Sequence, residues 1–185
     1  MKQIAIFASG TGTNAQAIIE HFRENKNTCV SLIVTNNAQS GVLKIAAENN
    51  IKTAIVSKEG ISDSERMKNL LKEIDFIVLA GFLLLIPEYL VKSFPKKIIN
   101  IHPALLPKYG GKGMYGIKVH EAVKENNEIE TGITIHYVNE YFDEGEIIEQ
   151  HKVTLSSADS ALNIQIKVQQ LEHEFYPKCV VRMVK

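Results

Sequence analysis

The chain has 185 residues, with 21 basic and 21 acidic side chains and therefore no formal net charge at pH 7. This length suits one domain with a single substantial core, and the charge balance argues against nucleic acid or an anionic membrane as a partner. Cys29 and Cys179 stand among apolar neighbours, which predicts buried reduced thiols rather than a metal or redox pair. The sequence shows neither a secretory signal pattern nor a membrane-spanning apolar run, so we expect a cytoplasmic protein.

Strands and helices alternate over the first eighty residues. Apolar runs predict the strands, and segments with one apolar face predict the helices. In chain order we predict strand Lys2–Ala8, helix Asn14–Glu24, strand Cys29–Thr35, helix Gly41–Asn49, strand Thr53–Val56, helix Asp63–Lys72 and strand Asp75–Ala80. This alternation is typical of an α/β protein.

The regular alternation of strands and helices does not continue in the second half of the chain. Here we predict a short helix after Pro87, strand Lys97–Ile101, a helix near Ile117–Lys124, strands Thr131–Val138 and Glu146–Leu155, and a terminal helix Asp159–Phe175. The last two strands are separated by about seven residues, whereas a parallel crossover needs roughly a dozen, so they should form a hairpin.

The first loop, in the segment FASGTGTNA, has the properties of an anion site. Gly10, Gly12 and Ala15 match the spacing of a dinucleotide-binding turn between a strand and a helix. That turn also needs an acidic residue at the end of the second strand, where this chain has Asn36 and Asn37. A single phosphate is therefore favoured over a dinucleotide. A plain tight turn, with Asn14 capping the helix, stays open as the alternative.

Two further segments carry polar side chains suited to acid–base chemistry. Asn100 and His102 are two residues apart at the end of a strand and should face the same side. There the amide can donate a hydrogen bond to an oxyanion, and the imidazole can accept or donate a proton. Asp143 lies at the tip of the predicted hairpin. Both segments also have a simpler explanation. His102 can be a strand-end histidine whose hydrogen bonds are all made within the protein, and Asp143 can be a solvated carboxylate in a turn. His120, near a glycine-rich loop, is a weaker candidate, and no spacing suggests a metal.

Taken together, these segments resemble the phosphoribosylglycinamide formyltransferases, a family of folate-dependent enzymes of purine synthesis. The similarity rests on FASGTGTN, VLAGFLLLIP, INIHPALLPKYGG, TGITIHYVNEYFDEGEII and VQQLEHEFYP. It implies one formyltransferase domain over residues 1–185, with a mixed, mostly parallel twisted sheet, a Rossmann-like N-terminal half, a C-terminal hairpin and a terminal helix. Residues 1–100 would bind the phosphorylated substrate, and residues 101–185 would bind folate and carry the catalytic groups.

The resemblance also implies roles for individual residues. A formyl group would pass from 10-formyltetrahydrofolate, as co-substrate, to the amine of glycinamide ribonucleotide. Asn100, His102 and Asp143 would be catalytic, with Asp143 keeping His102 charged, and no metal would be needed. The other implied contacts are Thr11, Gly12, Thr13, Asn14 and Glu172 for the ribonucleotide, and Leu83, Leu84, Leu85, Ile86, Val138 and Tyr141 for folate.

Several alternatives remain open at this point. Another folate-dependent formyltransferase or a formyltetrahydrofolate deformylase would share the three catalytic residues, but such proteins usually carry an additional domain for which 185 residues leave no room. A non-catalytic phosphate- or nucleotide-binding module would need only the first loop. An oxidoreductase using NAD is disfavoured by the neutral end of the second strand. We expect a monomer or a homodimer.

Overall fold

The computed structural model describes residues 1–184, and this range contains seven strands and seven helices. The strands are β1 (Lys2–Phe7), β2 (Thr28–Thr35), β3 (Lys52–Ile55), β4 (Phe76–Leu79), β5 (Ile98–His102), β6 (Glu130–Tyr137) and β7 (Ile147–Thr154). The helices are α1 (Thr13–Phe22), α2 (Val42–Glu48), α3 (Lys58–Ser62), α4 (Ser64–Leu70), α5 (Glu88–Ser93), α6 (Ile117–Glu125) and α7 (Ala161–Met183). Every predicted element is present.

The strands form one sheet in the order β3-β2-β1-β4-β5-β6-β7. The pairs from β3 to β5 are parallel, whereas β6 runs antiparallel to both β5 and β7. This confirms the predicted α/β fold, with a mixed, mostly parallel sheet and a C-terminal hairpin. The parallel strands end at one edge of the sheet, so the loops that follow them meet there.

The strand order creates a switch point between β1 and β4. The chain moves outward from β1 through β2 to β3 and then returns to β4 on the other side of β1. The loops that follow β1 and β4 are joined by a hydrogen bond from the N–H of Ser9 to the carbonyl of Gly81, at 3.0 Å. In open α/β sheets the crevice at such a point is where ligands bind.

Apolar side chains cover both faces of the central strands. One face packs against α1, α2, α6 and α7, and the other against α3, α4 and α5. Alternate residues of β1 divide between them: Ile4 and Ile6 belong to the first cluster, and Ala5 and Phe7 to the second. Burial on both faces explains why these strands are continuous apolar runs.

The terminal helix is longer than predicted. We predicted that it ends at Phe175. A proline inside a helix removes a hydrogen bond and costs about 3 kcal/mol. Instead α7 continues through Pro177 to Met183. Pro177 and its neighbours Tyr176 and Cys179 are buried, and this packing compensates for the lost bond.

One short element was not predicted and one prediction about a cysteine was wrong. The five-residue helix α3 was not predicted; Ser57 caps it by accepting a hydrogen bond from the N–H of Gly60 at 3.0 Å. Cys179 is buried as predicted, but Cys29 is only half-buried. Cys29 lies in the first half of β2, whereas β3 pairs only with the second half, from Leu32 onward. Both cysteines are free.

Candidate active site

Three of the predicted residues meet at the carboxyl edge of the sheet. Asn100 and His102 project from β5, and Asp143 lies in the loop between β6 and β7. The Asp143 carboxylate lies 3.4 Å from Nδ2 of Asn100 and 3.4 Å from Nδ1 of His102, and it accepts a hydrogen bond from the N–H of Gly111 at 2.9 Å. A backbone φ of 58° at Asp143, which aspartate tolerates better than most residues, turns the carboxylate toward the strand.

A fourth polar residue, His136, completes this cluster. It lies on β6 directly opposite Asn100, and the amide nitrogen of Asn100 donates to its Nε2 at 3.0 Å. Its side chain is buried, with Nε2 lying 3.7 Å from Asp143. His136 was not predicted as a site residue, because only the register of β5 against β6 shows that it faces Asn100. An antiparallel alignment of the two segments was the one signal that could have found it.

The electrostatics of the cluster place its charge on the carboxylate. Burial opposes ionisation of Asp143, but its interactions with His136, with His102 and with the N–H of Gly111 outweigh that effect and lower the pKa of Asp143 below its ordinary value. Burial also lowers the pKa of His102, even though Asp143 pulls in the opposite direction. The lowered pKa of His102 favours the neutral imidazole, which runs against the expectation that Asp143 keeps His102 charged, and the lowered pKa of Asp143 favours the ionised carboxylate.

The predicted phosphate loop joins β1 to α1. Gly12 precedes the helix with a φ of 86°, and among residues 1–184 no side chain caps the first turn. Asn14 therefore does not cap α1, so that part of the alternative interpretation is wrong, and its amide nitrogen donates to Glu172 instead. The first N–H groups of a helix have no partner within it, so this end can receive an anion. Thr11 is exposed, and the hydroxyl of Thr13 accepts a hydrogen bond from Gln169 on α7 at 3.0 Å.

The loop is supported from beneath by the segment that begins α2. The hydroxyl of Ser40 donates to the carbonyl of Gly10 at 2.7 Å. Gly41 packs so closely that an added Cβ would lie 2.7 Å from the carbonyl oxygen of Thr11. An added Cβ at Gly12 would lie 2.7 Å from the side chain of Ile45. The backbone of the loop is therefore held in one shape.

Glu172 on α7 reaches the same loop. It accepts a hydrogen bond from Nδ2 of Asn14 at 2.9 Å, while Oδ1 of Asn14 is buried without a partner in the described chain. Burial raises the pKa of Glu172 to about 7. A buried carbonyl oxygen without a donor, next to a carboxyl group, suits a ligand with N–H or O–H groups.

The residues predicted to bind folate are divided between two loops at this edge. Leu83, Leu84, Leu85 and Ile86 follow β4, and Val138 and Tyr141 follow β6. Their exposure differs: Ile86 is buried in the core, Leu84 and Val138 pack partly against it, and Leu83, Leu85 and Tyr141 are exposed. The N–H of Val138 donates to the carbonyl of Ile98, so it is not free for a ligand.

His120, the weaker candidate, lies on α6 behind the cluster. It is buried, its Nδ1 has no partner in the described residues, and burial lowers its pKa to about 4. Within residues 1–184 no group of three or more His, Cys, Asp or Glu side chains has the arrangement of a metal site. In the same range no helix has both the length and the apolar character needed to cross a bilayer.

Comparison with known proteins gives a consistent picture. A family model described as formyl transferase matches residues 2–180. The chain is 43% identical over 187 residues to "Phosphoribosylglycinamide formyltransferase, chloroplastic" of Arabidopsis thaliana, covering 97% of this chain but 64% of that relative. It is 32% identical over 191 residues to the phosphoribosylglycinamide formyltransferase of Bacillus subtilis (strain 168), covering 100% of this chain and 95% of that one. The chain thus spans less than two thirds of the plant relative and nearly all of the bacterial one.

Solved structures agree with the sequence comparison. The crystal structure of glycinamide ribonucleotide transformylase 1 from Geobacillus kaustophilus superimposes with a TM-score of 0.90 at 33% identity, covering 100% of both chains. That of phosphoribosylglycinamide formyltransferase from Bacillus halodurans gives 0.84 at 35% identity, covering 95% of this chain and 92% of the other.

Proposed function

Since the chain belongs to the formyl transferase family, we propose that it transfers the formyl group of 10-formyltetrahydrofolate to the amine of glycinamide ribonucleotide. The products are formylglycinamide ribonucleotide and tetrahydrofolate, a step of de novo purine synthesis. The observation that carries the proposal is the contact of Asn100, His102 and Asp143 at the same sheet edge as an open helix N-terminus. The names of the relatives from Arabidopsis and Bacillus support this acceptor over others.

The catalytic steps follow from the charges of the cluster. The substrate amine attacks the formyl carbon, and its proton passes to the neutral His102. The imidazolium formed lies 3.4 Å from the Asp143 carboxylate, so the two charges stabilise each other. The amide of Asn100 donates to the oxyanion of the tetrahedral intermediate. When the bond from the formyl carbon to N10 breaks, His102 returns the proton to that nitrogen, and the enzyme is restored.

The amide of Asn100 is held ready for this step. One of its N–H groups donates to His136 at 3.0 Å, and the other faces Asp143 at 3.4 Å. The contact with Asp143 is too long for a strong hydrogen bond, so this N–H can donate to an oxyanion instead at low energetic cost. The hydrogen bond to His136 keeps the amide oriented while the oxyanion replaces Asp143 as the acceptor.

The acceptor substrate occupies the loop and helix described above. Its phosphate lies on the backbone N–H groups of Thr11, Gly12, Thr13 and Asn14, and its glycinamide or ribose portion contacts Glu172. The folate lies between the loops that carry Leu83, Leu84, Leu85, Ile86, Val138 and Tyr141. We assign the phosphate site to residues 1–100 and the folate and catalytic groups to residues 101–185, except that Asn100 and the folate contacts at positions 83–86 lie in the first part and the substrate contact Glu172 lies in the second. We also propose that the protein works in the cytoplasm, as a monomer or a homodimer.

An assay of the purified protein with 10-formyltetrahydrofolate tests this proposal. Glycinamide ribonucleotide and water are compared as acceptors, and tetrahydrofolate, formylated product and formate are measured separately. We expect formylated product with glycinamide ribonucleotide, and little formate in its absence. Equal formate release with and without the ribonucleotide would show a deformylase instead. A His102→Ala variant, which loses the proton acceptor, serves as the inactive control.

A further inference from the structure

The two ring nitrogens of His102 are held by partners of unequal strength. Nε2 lies 2.7 Å from the backbone carbonyl oxygen of Tyr109, whereas Nδ1 lies 3.4 Å from the Asp143 carboxylate. A carbonyl oxygen only accepts hydrogen bonds, so the short contact requires the proton on Nε2. In the neutral ring Nδ1 then carries the free lone pair.

The Tyr109 carbonyl reaches His102 because the backbone of Tyr109 is in an unusual conformation. Its φ is 58°, in the left-handed region that a bulky residue adopts only when its surroundings hold it there. Its phenol donates to Oε1 of Glu128 at 2.8 Å, and the same oxygen accepts from Nζ of Lys108 at 2.7 Å. The Tyr109 ring also packs partly against the core. Glu128 therefore holds the hydroxyl at the tip of the Tyr109 side chain.

We propose that Tyr109 and Glu128 are positioning residues that fix the tautomer of His102. Glu128 holds the Tyr109 phenol, the held side chain keeps the backbone carbonyl on Nε2, and Nδ1 becomes the nitrogen that accepts the proton of the substrate amine. This deepens the formyl transfer proposed above and rests on it for the identity of the proton donor. The tautomer itself is a property of the free protein and does not depend on the substrate.

Nitrogen-15 NMR of the free protein at neutral pH tests the tautomer directly. We expect His102 to show a protonated Nε2 and an unprotonated Nδ1 in the wild type. Glu128→Ala and Tyr109→Phe release the phenol and should give a mixture of both tautomers, with the signals of His136 as a reference for a preserved fold. Glu128→Gln keeps an oxygen acceptor for the phenol and should restore the wild-type spectrum. Lys108→Met leaves the Tyr109 to Glu128 bond intact and is the matched control.

Kinetic measurements complete the test. Losing one positioning hydrogen bond in Glu128→Ala should lower kcat about tenfold while KM for both substrates stays unchanged. A protonated Nδ1 in the wild type, or a wild-type His102 spectrum in both Glu128→Ala and Tyr109→Phe, overturns the proposal. If the NMR results are as expected but no formyl transfer is found, the positioning role stands and the proposed function fails.

Discussion

His102 and Asp143 lie 3.4 Å apart, and the pKa of each is displaced downward from its ordinary value. For an acid and a base this shift has opposite effects on charge, because it favours the ionised carboxylate and the neutral imidazole. The site therefore has a neutral group that accepts a proton and a charged group that stabilises the imidazolium formed in that step. Burial of the imidazole, which opposes its charge, is what makes it a base near neutral pH.

Removing either member of this pair should abolish most of the activity. We expect His102→Ala and Asp143→Asn each to lower kcat by about a hundredfold or more, the range for a lost acid–base or electrostatic group. Circular dichroism should show both variants folded. Near-normal turnover of both variants would contradict this mechanism.

The same mechanism predicts a pH dependence of the wild type. The value of kcat/KM should fall as the pH is lowered through the depressed pKa of His102, since protonation removes the base.

Glu172 gives a prediction about stability. Its pKa is raised to about 7 by burial, so in the folded protein it ionises at a higher pH than in the unfolded chain. The contribution of Glu172 to stability is therefore fully present below the pKa of the unfolded chain, and it declines as the pH rises toward 7. Glu172→Gln lacks this loss, so its Tm should match the wild type near pH 4 and exceed it above pH 7. Glu174→Gln, on the exposed side of α7, is the control and should show no such trend.

At the scale of elements, α2 and the loop before α1 act as one unit. Gly12 combines a φ of 86° with close contacts to Val42 and Ile45, so no side chain fits there without moving the loop. Gly12→Ala should raise KM for the phosphorylated substrate about tenfold or more and change kcat less. Gly10→Ala is the matched control, because an added Cβ there meets nothing within 4 Å. An unchanged KM in Gly12→Ala would count against a phosphate site in this loop.

The elements also show what a sequence can predict. Periodicity located the strands of the sheet, since burial on both faces leaves apolar runs, and the N-x-H pattern located Asn100 and His102 on one face of β5. Local rules failed where distant packing decides the outcome, as for α7, which continues through Pro177. His136 and Tyr109 were missed for a related reason: one depends on the register of β5 against β6, the other on a loop conformation. Neither the register nor that conformation is visible in a local pattern.

At the scale of the molecule, one side chain joins the terminal helix to the strands that carry the site. Tyr176 on α7 is fully buried, and its hydroxyl donates to the carbonyl of Leu79 on β4 at 2.7 Å and to that of Ile99 on β5 at 3.3 Å. Ile99 precedes Asn100, so this hydroxyl bridges the two strands beside the catalytic edge. A single donor thus connects residues almost a hundred positions apart in the chain.

Removing that hydroxyl should destabilise the whole protein. Tyr176→Phe leaves buried carbonyl oxygens without their donor, which should cost about 1 to 2 kcal/mol in the free energy of unfolding. Urea unfolding measures this, with an unchanged m value expected because the surface exposed on unfolding is the same. Tyr115→Phe, at an exposed tyrosine, is the control and should stay within about 0.5 kcal/mol of the wild type. Equal stability of the two variants would contradict the bridge.

Tyr176 and Glu172 are four residues apart, so they lie on one face of α7, one turn from each other. Any shift of the helix that draws Glu172 away from Asn14 also draws the phenol away from β4 and β5. Substitutions on this face should therefore be poorly tolerated. Each should lower both the abundance of the protein and its affinity for the substrate that accepts the formyl group. A deep mutational scan that measures both properties would find them correlated along this face of α7 and independent on its exposed side.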